Sequence, residues 1–162
     1  MSWLVPLIKT MRPKQWVKNG LLFVAIAFDG QLFHWPALAR TLAAFALFCL
    51  LSSLVYIIND LTDLEADRNH PKKRMRPLPS GQLSTQTARL AAIFLALVVF
   101  GTAFLLCWQF GLVALAYFSL NLAYSRWLKH VPILDVMVLA TFYVLRVGAG
   151  VVVIVVSLFS PW

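Results

Sequence analysis

Five apolar stretches alternate along the chain with short polar connections that collect most of its charge. They run over about 17–35, 38–58, 87–108, 110–128 and 133–159. Some twenty helical residues at about 1.5 Å each cross a hydrocarbon core of roughly 30 Å. The pattern therefore predicts an all-α, polytopic transmembrane helical bundle of about five helices, a single transmembrane domain over residues 1–162. Asp29 and Gly30 weaken the first stretch near its far end, and Pro132 stands at the start of the last, where a helix tolerates proline. Pro71, Pro77 and Pro79-Ser80-Gly81 break helix and mark a hydrophilic loop as far as about residue 84. Ser84 or Thr85 can cap the helix that follows.

Composition agrees with a membrane protein: 61% of the residues are hydrophobic and 12% charged. The net charge of +8 does not point to nucleic acid, because the basic residues gather at the ends of apolar spans, where lipid headgroups and phosphorylated substrates are met. Lys and Arg are dense in the N-terminal piece and in the second connection, and recur at Arg126 and Lys129. The connections between these hold at most Arg40. This alternation predicts a cytoplasmic N-terminus and a cytoplasmic second connection in the cell (inner) membrane. The segment 9–19, with four basic residues around Trp16, has the composition of a piece lying at headgroup level. No short apolar core precedes a small-residue cleavage site, so the first span is expected to be retained. Cys49 and Cys107 lack C-x-x-C partners, and His34 and His130 are not spaced as metal ligands; packing and interface are their expected roles.

The most informative stretch is 56–68, followed by a basic tail to Pro77. It holds four of the six acidic residues and five Lys or Arg. At 100° per residue Asp60, Asp63 and Asp67 lie within about 60° of one another on a helix, with Tyr56 in the same arc, Asn59 at its edge and Glu65 turned away. Like charges at these spacings repel, so three carboxylates on one face ask for a cation. Mg2+ suits them: it takes one or two carboxylates, keeps some waters and fills other positions with phosphate oxygens. The basic residues beyond would hold the rest of such a phosphate. A solvated acidic and basic loop would explain the charges but not their one-sided spacing.

The later spans carry polar residues on buried faces. Tyr117, Asn121, Tyr124 and Ser125 fall on one side of the fourth helix, with Lys129 a turn further on. Interhelical hydrogen bonding accounts for Asn121 or Ser125 taken singly. Arg146 stands well inside the fifth span, where a charge costs about 2.5–3.5 kcal/mol, and must face a wet or anionic cavity. Asp135 is nearly on the same face but about 16 Å away along the axis, too far to pair with it.

Asn59-Asp60-x-x-Asp63-x-x-x-Asp67 resembles the N-D-x-x-D-x-x-x-D motif of the UbiA superfamily of membrane prenyltransferases. Three further pieces resemble one branch of it, the decaprenyl-phosphate phosphoribosyltransferases: Arg12-Pro13-x-Gln15-Trp16-x-Lys18-Asn19, His70-Pro71-x-Lys73-Arg74-x-Arg76-Pro77, and Tyr124-Ser125-x-x-Leu128-Lys129 followed by Leu134-Asp135 and Leu145-Arg146. The resemblance implies transfer of phosphoribose from phosphoribosyl diphosphate to a polyprenyl phosphate, with Mg2+, at the cytoplasmic membrane face. It implies that Asp60, Asp63 and Asp67 hold the metal and the leaving diphosphate. Lys18, Asn59, Lys73, Arg74, Arg76, Tyr124, Lys129 and Arg146 are then substrate ligands.

The acidic motif alone fits equally a prenyltransferase that carries a prenyl group from prenyl diphosphate to an aromatic acceptor. Members of the superfamily also have more helices than five and a second acidic motif. The expectation is thus an N-terminal half that acts with a C-terminal half or in a homo-oligomer, or else a non-catalytic membrane remnant or binding subunit.

Overall fold

The computed structural model describes residues 3–128 and 132–154, and these form helices with no strand among them. An amphipathic helix α1 (Leu4–Met11) ends at Arg12 and leads into a ten-residue 3₁₀ segment, Pro13–Leu22, that continues as α2 (Phe23–Phe28). Then come α3 (Trp35–Thr62), the short α4 (Leu64–Arg68), a 3₁₀ turn at Lys73–Met75, α5 (Thr85–Leu106), α6 (Trp108–Arg126) and α7 (Pro132–Val153).

Among the described residues three helices are long and apolar enough to cross a membrane by length and composition: α3, α5 and Ile133–Val153 of α7. The other two expected spans differ from a simple apolar helix, each for a physical reason. The first is no single α-helix over 17–35. Residues Pro13–Leu22 form a 3₁₀ segment, and Asp29 with Gly30 (φ +70°) closes α2 at Phe28. A 3₁₀ helix rises about 2.0 Å per residue, however, so 13–28 reaches roughly 29 Å with fewer residues than an α-helix requires. The expected fourth span is the helix α6, diluted by Tyr117, Ser119, Asn121, Tyr124 and Ser125. The second expected span, by contrast, is longer than its apolar run. α3 has 28 residues and carries Asn59 and Asp60 in its last turns, beyond what a core of about 30 Å needs.

Local signals place the ends. Ser84 caps α5 by accepting from the Thr87 N–H at 3.0 Å, and Pro36 sits in the first turn of α3. Between α5 and α6 the chain turns at Cys107, whose extended backbone interrupts the helix and whose Sγ accepts from the Phe110 N–H at 3.3 Å. Both cysteines are free thiols.

The interior joins the helices through Phe48, Phe110, Tyr117 and Phe142, whose rings meet in tilted or edge-on pairs 5.2–5.8 Å apart. Such pairs add about 0.5–1.5 kcal/mol beyond area burial. Large apolar residues point outward as well: Leu90, Ile93, Phe94 and Leu97 on α5, and Val136, Met137 and Val144 on α7. An apolar exterior around a core holding buried polar groups suits lipid as the surrounding solvent. Gly150 sets the distance between α7 and the 3₁₀ segment, since a Cβ there would lie 2.1 Å from the Leu22 carbonyl oxygen.

Candidate active site

Two charged centres lie around the C-terminal end of α3. The first is built on Asp60 and Asp67, which are only 3% and 1% exposed. Helix α3 stops at Thr62, the chain turns at Asp63, and α4 carries Asp67 back toward the end of α3. Arg76, from the loop after α4, reaches both: its Nη1 lies 2.6 Å from Asp67 Oδ2 and 3.4 Å from Asp60 Oδ1. Arg12 Nη2 donates to Asp60 Oδ1 at 2.6 Å, and Lys73 Nζ stands 3.4 Å from Asp67 Oδ1. Arg12 also stacks over Tyr56, 4.6 Å from the ring centroid. Three cations thus hold two buried carboxylates.

Arg12 is the sole non-glycine residue with positive φ among those described (φ 52°, ψ 61°). The left-handed conformation costs a non-glycine residue of order 1 kcal/mol or more, and it is kept where surrounding contacts over-determine it. Here the ion pair to Asp60 and the stack on Tyr56 do so, while Arg12 ends α1 and starts the 3₁₀ segment.

Asp63 does not join this pair. Regular helical angles place it with Asp60 and Asp67, but the turn at Asp63 separates α3 from α4, and its side chain lines a different cavity with Thr62 and Arg126. Glu65 faces outward and pairs with Arg68 at 2.7 Å, as its helical angle requires. Arg74 is exposed on the 3₁₀ turn. Lys129 lies outside the described residues.

The second centre is Arg146, 7% exposed on α7. Its Nε donates to Asn19 Oδ1 at 3.0 Å, Nη2 to Tyr117 Oη at 2.8 Å and Nη1 to the Phe142 carbonyl at 2.9 Å. Among the described residues no carboxylate forms an ion pair with it. It lines a cavity of about 200 Å³ together with Lys18, Tyr56, Asn59, Tyr117 and Tyr124. Asp135 does not turn toward Arg146; it accepts from Tyr124 Oη at 2.6 Å and fixes that ring at the cavity wall. Asn19, fully buried, also donates to Ser52 Oγ at 3.3 Å and so ties the 3₁₀ segment to α3 as well as to α7.

The structure therefore groups Lys18, Asn59, Tyr124 and Arg146 around one cavity, and Arg76 and Lys73 around the acidic pair. Arg12 and Asn19 escaped the sequence reading as site residues, although both stand in the R-P-x-Q-W-x-K-N run. Their partners are 48 and 127 residues away, a distance no local pattern encodes.

A divalent cation is compatible with the acidic pair. Two buried carboxylates that meet at one nitrogen of Arg76 are the number Mg2+ takes when waters and phosphate oxygens complete its shell. No cluster of three or more acidic, His or Cys side chains suited to a metal occurs among the described residues. The fit is to a two-carboxylate site completed by substrate, with Asp63 outside it.

The model of the UbiA prenyltransferase family matches residues 20–162. The chain belongs to that family. It is 44% identical over 155 residues to the uncharacterized protein y4nM of Sinorhizobium fredii, covering 96% of this chain and 30% of that protein. It is 36% identical over 159 residues to a decaprenyl-phosphate phosphoribosyltransferase of Mycobacterium tuberculosis, covering 96% of this chain and 52% of the relative. The same identity over 160 residues holds for the decaprenyl-phosphate phosphoribosyltransferase of Corynebacterium glutamicum, with 96% and 48% covered. The chain thus spans about half the length of these two relatives. Membership of the UbiA family accords with an all-helical, polytopic membrane fold.

Proposed function

We propose that this chain forms the donor-binding part of an Mg2+-dependent membrane transferase that moves phosphoribose from phosphoribosyl diphosphate to a polyprenyl phosphate. The observation that carries the reading is Arg146, a buried cation with no acidic partner among the described residues, facing a cavity with Lys18. A buried charge without a counter-ion is expensive and calls for an anion. Phosphoribosyl diphosphate brings two separate anionic groups, a 5-phosphate and a diphosphate, and the site has two separate centres to receive them, the acidic pair with its cations and Arg146 with Lys18. An allylic diphosphate brings one. The relatives named decaprenyl-phosphate phosphoribosyltransferase support the same choice.

In this reading an oxygen of the lipid phosphate attacks the anomeric carbon while the bond from that carbon to the diphosphate oxygen breaks. The diphosphate departs with the bonding pair, and no proton needs to move. Bound Mg2+ supplies charge neutralisation for the leaving diphosphate. Asp60 and Asp67 would hold it, Arg76 and Lys73 would turn from the carboxylates to diphosphate oxygens, and Arg74 stands on the same turn. Arg146 and Lys18 hold the 5-phosphate, with Tyr124 and Asn59 against the ribose. Donors fixed in a water-poor cavity stabilise developing charge more than solvent does.

The test is an assay of radiolabelled phosphoribosyl diphosphate with polyprenyl phosphate, run on membranes containing the chain, alone and together with the C-terminal half of the Corynebacterium relative. Lipid-linked phosphoribose is expected with the pair and should vanish on removing Mg2+ with EDTA. Transfer of a prenyl group to an aromatic acid by the same membranes would move the function to the alternative substrate class.

Orientation belongs to the proposal too. The Lys and Arg alternation puts the N-terminus and the loop before α5 on the cytoplasmic side of the cell membrane. Gln82 is exposed in that loop, so Gln82→Cys should react with an impermeant maleimide in inverted vesicles and resist it in intact cells. Labelling in intact cells alone would place the acidic pair on the wrong side for a cytoplasmic donor.

A further inference from the structure

The N-terminal helix α1 has two apolar faces, and the protein covers one of them. It packs on α3, with Pro6 and Thr10 buried and Leu7 and Met11 lying against the core. Leu4, Val5 and Ile8 turn the other way, 40%, 61% and 52% exposed, on an arc of about 100°. Lys9 stands at the edge of that arc, and Lys14 is exposed just past the turn at Arg12. Neither lysine is in an ion pair among the described residues. Residues 1–28 contain no Asp or Glu, so nothing nearby in the sequence offsets these charges. Arg12 and Lys18 are engaged elsewhere, the first by Asp60 and the second at the Arg146 cavity.

Contacts with α3 fix the depth of this surface. Trp16 Nε1 donates to Ser53 Oγ at 3.0 Å, and the same Oγ lies 3.3 Å from the Met11 carbonyl oxygen. Ser53 precedes Asp60 by seven residues, about 10 Å along the helix. The end of α1 and the start of the 3₁₀ segment therefore sit where the apolar run of α3 gives way to its polar end, the level of the hydrocarbon–headgroup boundary.

We propose that α1 and the start of the 3₁₀ segment form a binding surface for anionic phospholipid, with acyl chains on Leu4, Val5 and Ile8 and headgroup phosphates on Lys9 and Lys14. The surface lies apart from the donor site and does not depend on the transferase reading. A helix of eight residues is too short to stand alone in water, where about 12–15 residues are marginal, so it needs contacts along its sides. One side has α3. A protein covering the other would have to bring a carboxylate for each lysine, whereas an anionic leaflet offers acyl chains and phosphates together at this depth.

The experiment uses the 162-residue chain in nanodiscs of phosphatidylcholine and phosphatidylglycerol in equal parts. A trace of either lipid carries a photoactivatable diazirine near its headgroup, and labelled peptides are mapped after illumination. The phosphatidylglycerol probe should label the region of residues 3–14 at least about fivefold above the phosphatidylcholine probe, the factor that one basic residue contributes near an anionic surface. Lys9→Gln with Lys14→Gln should abolish that preference and leave labelling by phosphatidylcholine unchanged. Arg40→Gln is the control: an exposed cation twenty residues before Asp60 on α3, about 30 Å away, it should leave the preference intact. High salt on the unsubstituted chain should reduce the preference without any change of sequence.

Equal labelling by the two probes overturns the proposal, as does a preference that survives both the double substitution and high salt. Absence of label from residues 3–14 with either probe would mean that protein covers the outward arc, and it overturns the lipid assignment as well.

Discussion

Arg146→Met is expected to weaken phosphoribosyl diphosphate binding at least a hundredfold, a loss of about 2.8 kcal/mol. The side chain is the buried cation of the cavity proposed for the donor, and hydrogen bonds to charged groups are worth about 1.5–3 kcal/mol each. Arg146→Lys should not restore binding. A guanidinium reaches Asn19 with Nε and Tyr117 with Nη2 at once, and its planar fork keeps that orientation; an ammonium on a flexible stem cannot satisfy both and still face a phosphate. Isothermal titration of the detergent-solubilised chain with phosphoribosyl diphosphate and Mg2+ measures this. Thermal unfolding of the same samples separates binding from folding, because the methionine variant strips one partner from Asn19 and one from Tyr117. Unsatisfied buried groups of this kind cost about 1–3 kcal/mol in stability. Native-like affinity in a folded Arg146→Lys chain would remove the two-point argument, and native-like affinity in Arg146→Met would remove the donor cavity itself.

How far such a site could be read from the sequence depends on the range of the interaction that makes it. A charge thirteen residues into an apolar run must be solvated by something, whatever the fold, so Arg146 announces a cavity without any knowledge of its neighbours. The failure of Asp135 to reach it follows from helix rise alone, and Asp135 indeed meets Tyr124. Asp60 and Asp67 also come together as their helical angles suggest, yet through a different geometry: the helix breaks between them, and it is Arg76 that draws them to one atom. The same break is why the angle argument fails for Asp63. Periodicity extrapolates a regular helix and has no term for where the helix ends.

The first span shows the other limit. Its apolar run predicts a crossing helix, but Pro13–Leu22 adopts the stretched 3₁₀ form, which a hydropathy window does not distinguish from α. Arg12 and Asn19 belong to this segment, and their roles come from contacts with α3 and α7 far along the chain. Tertiary partners, not local pattern, made them site residues.

That segment also couples packing to binding, and Gly150 is where the coupling can be broken. The backbone of α7 approaches the 3₁₀ segment so closely that a Cβ at Gly150 would sit 2.1 Å from the Leu22 oxygen and 2.9 Å from its carbonyl carbon. A backbone atom cannot swing aside as a side chain does, so Gly150→Ala must push the two elements apart. Overpacking of this kind costs about 1–3 kcal/mol. The displacement falls one helical turn from Arg146 on α7 and one 3₁₀ turn from Asn19, the two residues joined by the 3.0 Å hydrogen bond. Gly150→Ala is therefore expected to lower the unfolding temperature of the chain and also to weaken phosphoribosyl diphosphate binding by about tenfold or more, near 1.4 kcal/mol, though Gly150 does not line the donor cavity. Gly148→Ala is the matched control: a Cβ there meets nothing within 4 Å, and alanine is the better helix former, so stability should hold or rise with binding unchanged. Equal losses in the two variants would mean that glycine serves α7 through general flexibility. A loss confined to Gly150→Ala would tie the donor cavity to the close contact between α7 and the 3₁₀ segment, and so explain why a conformation as uncommon as a ten-residue 3₁₀ helix is kept beside the site.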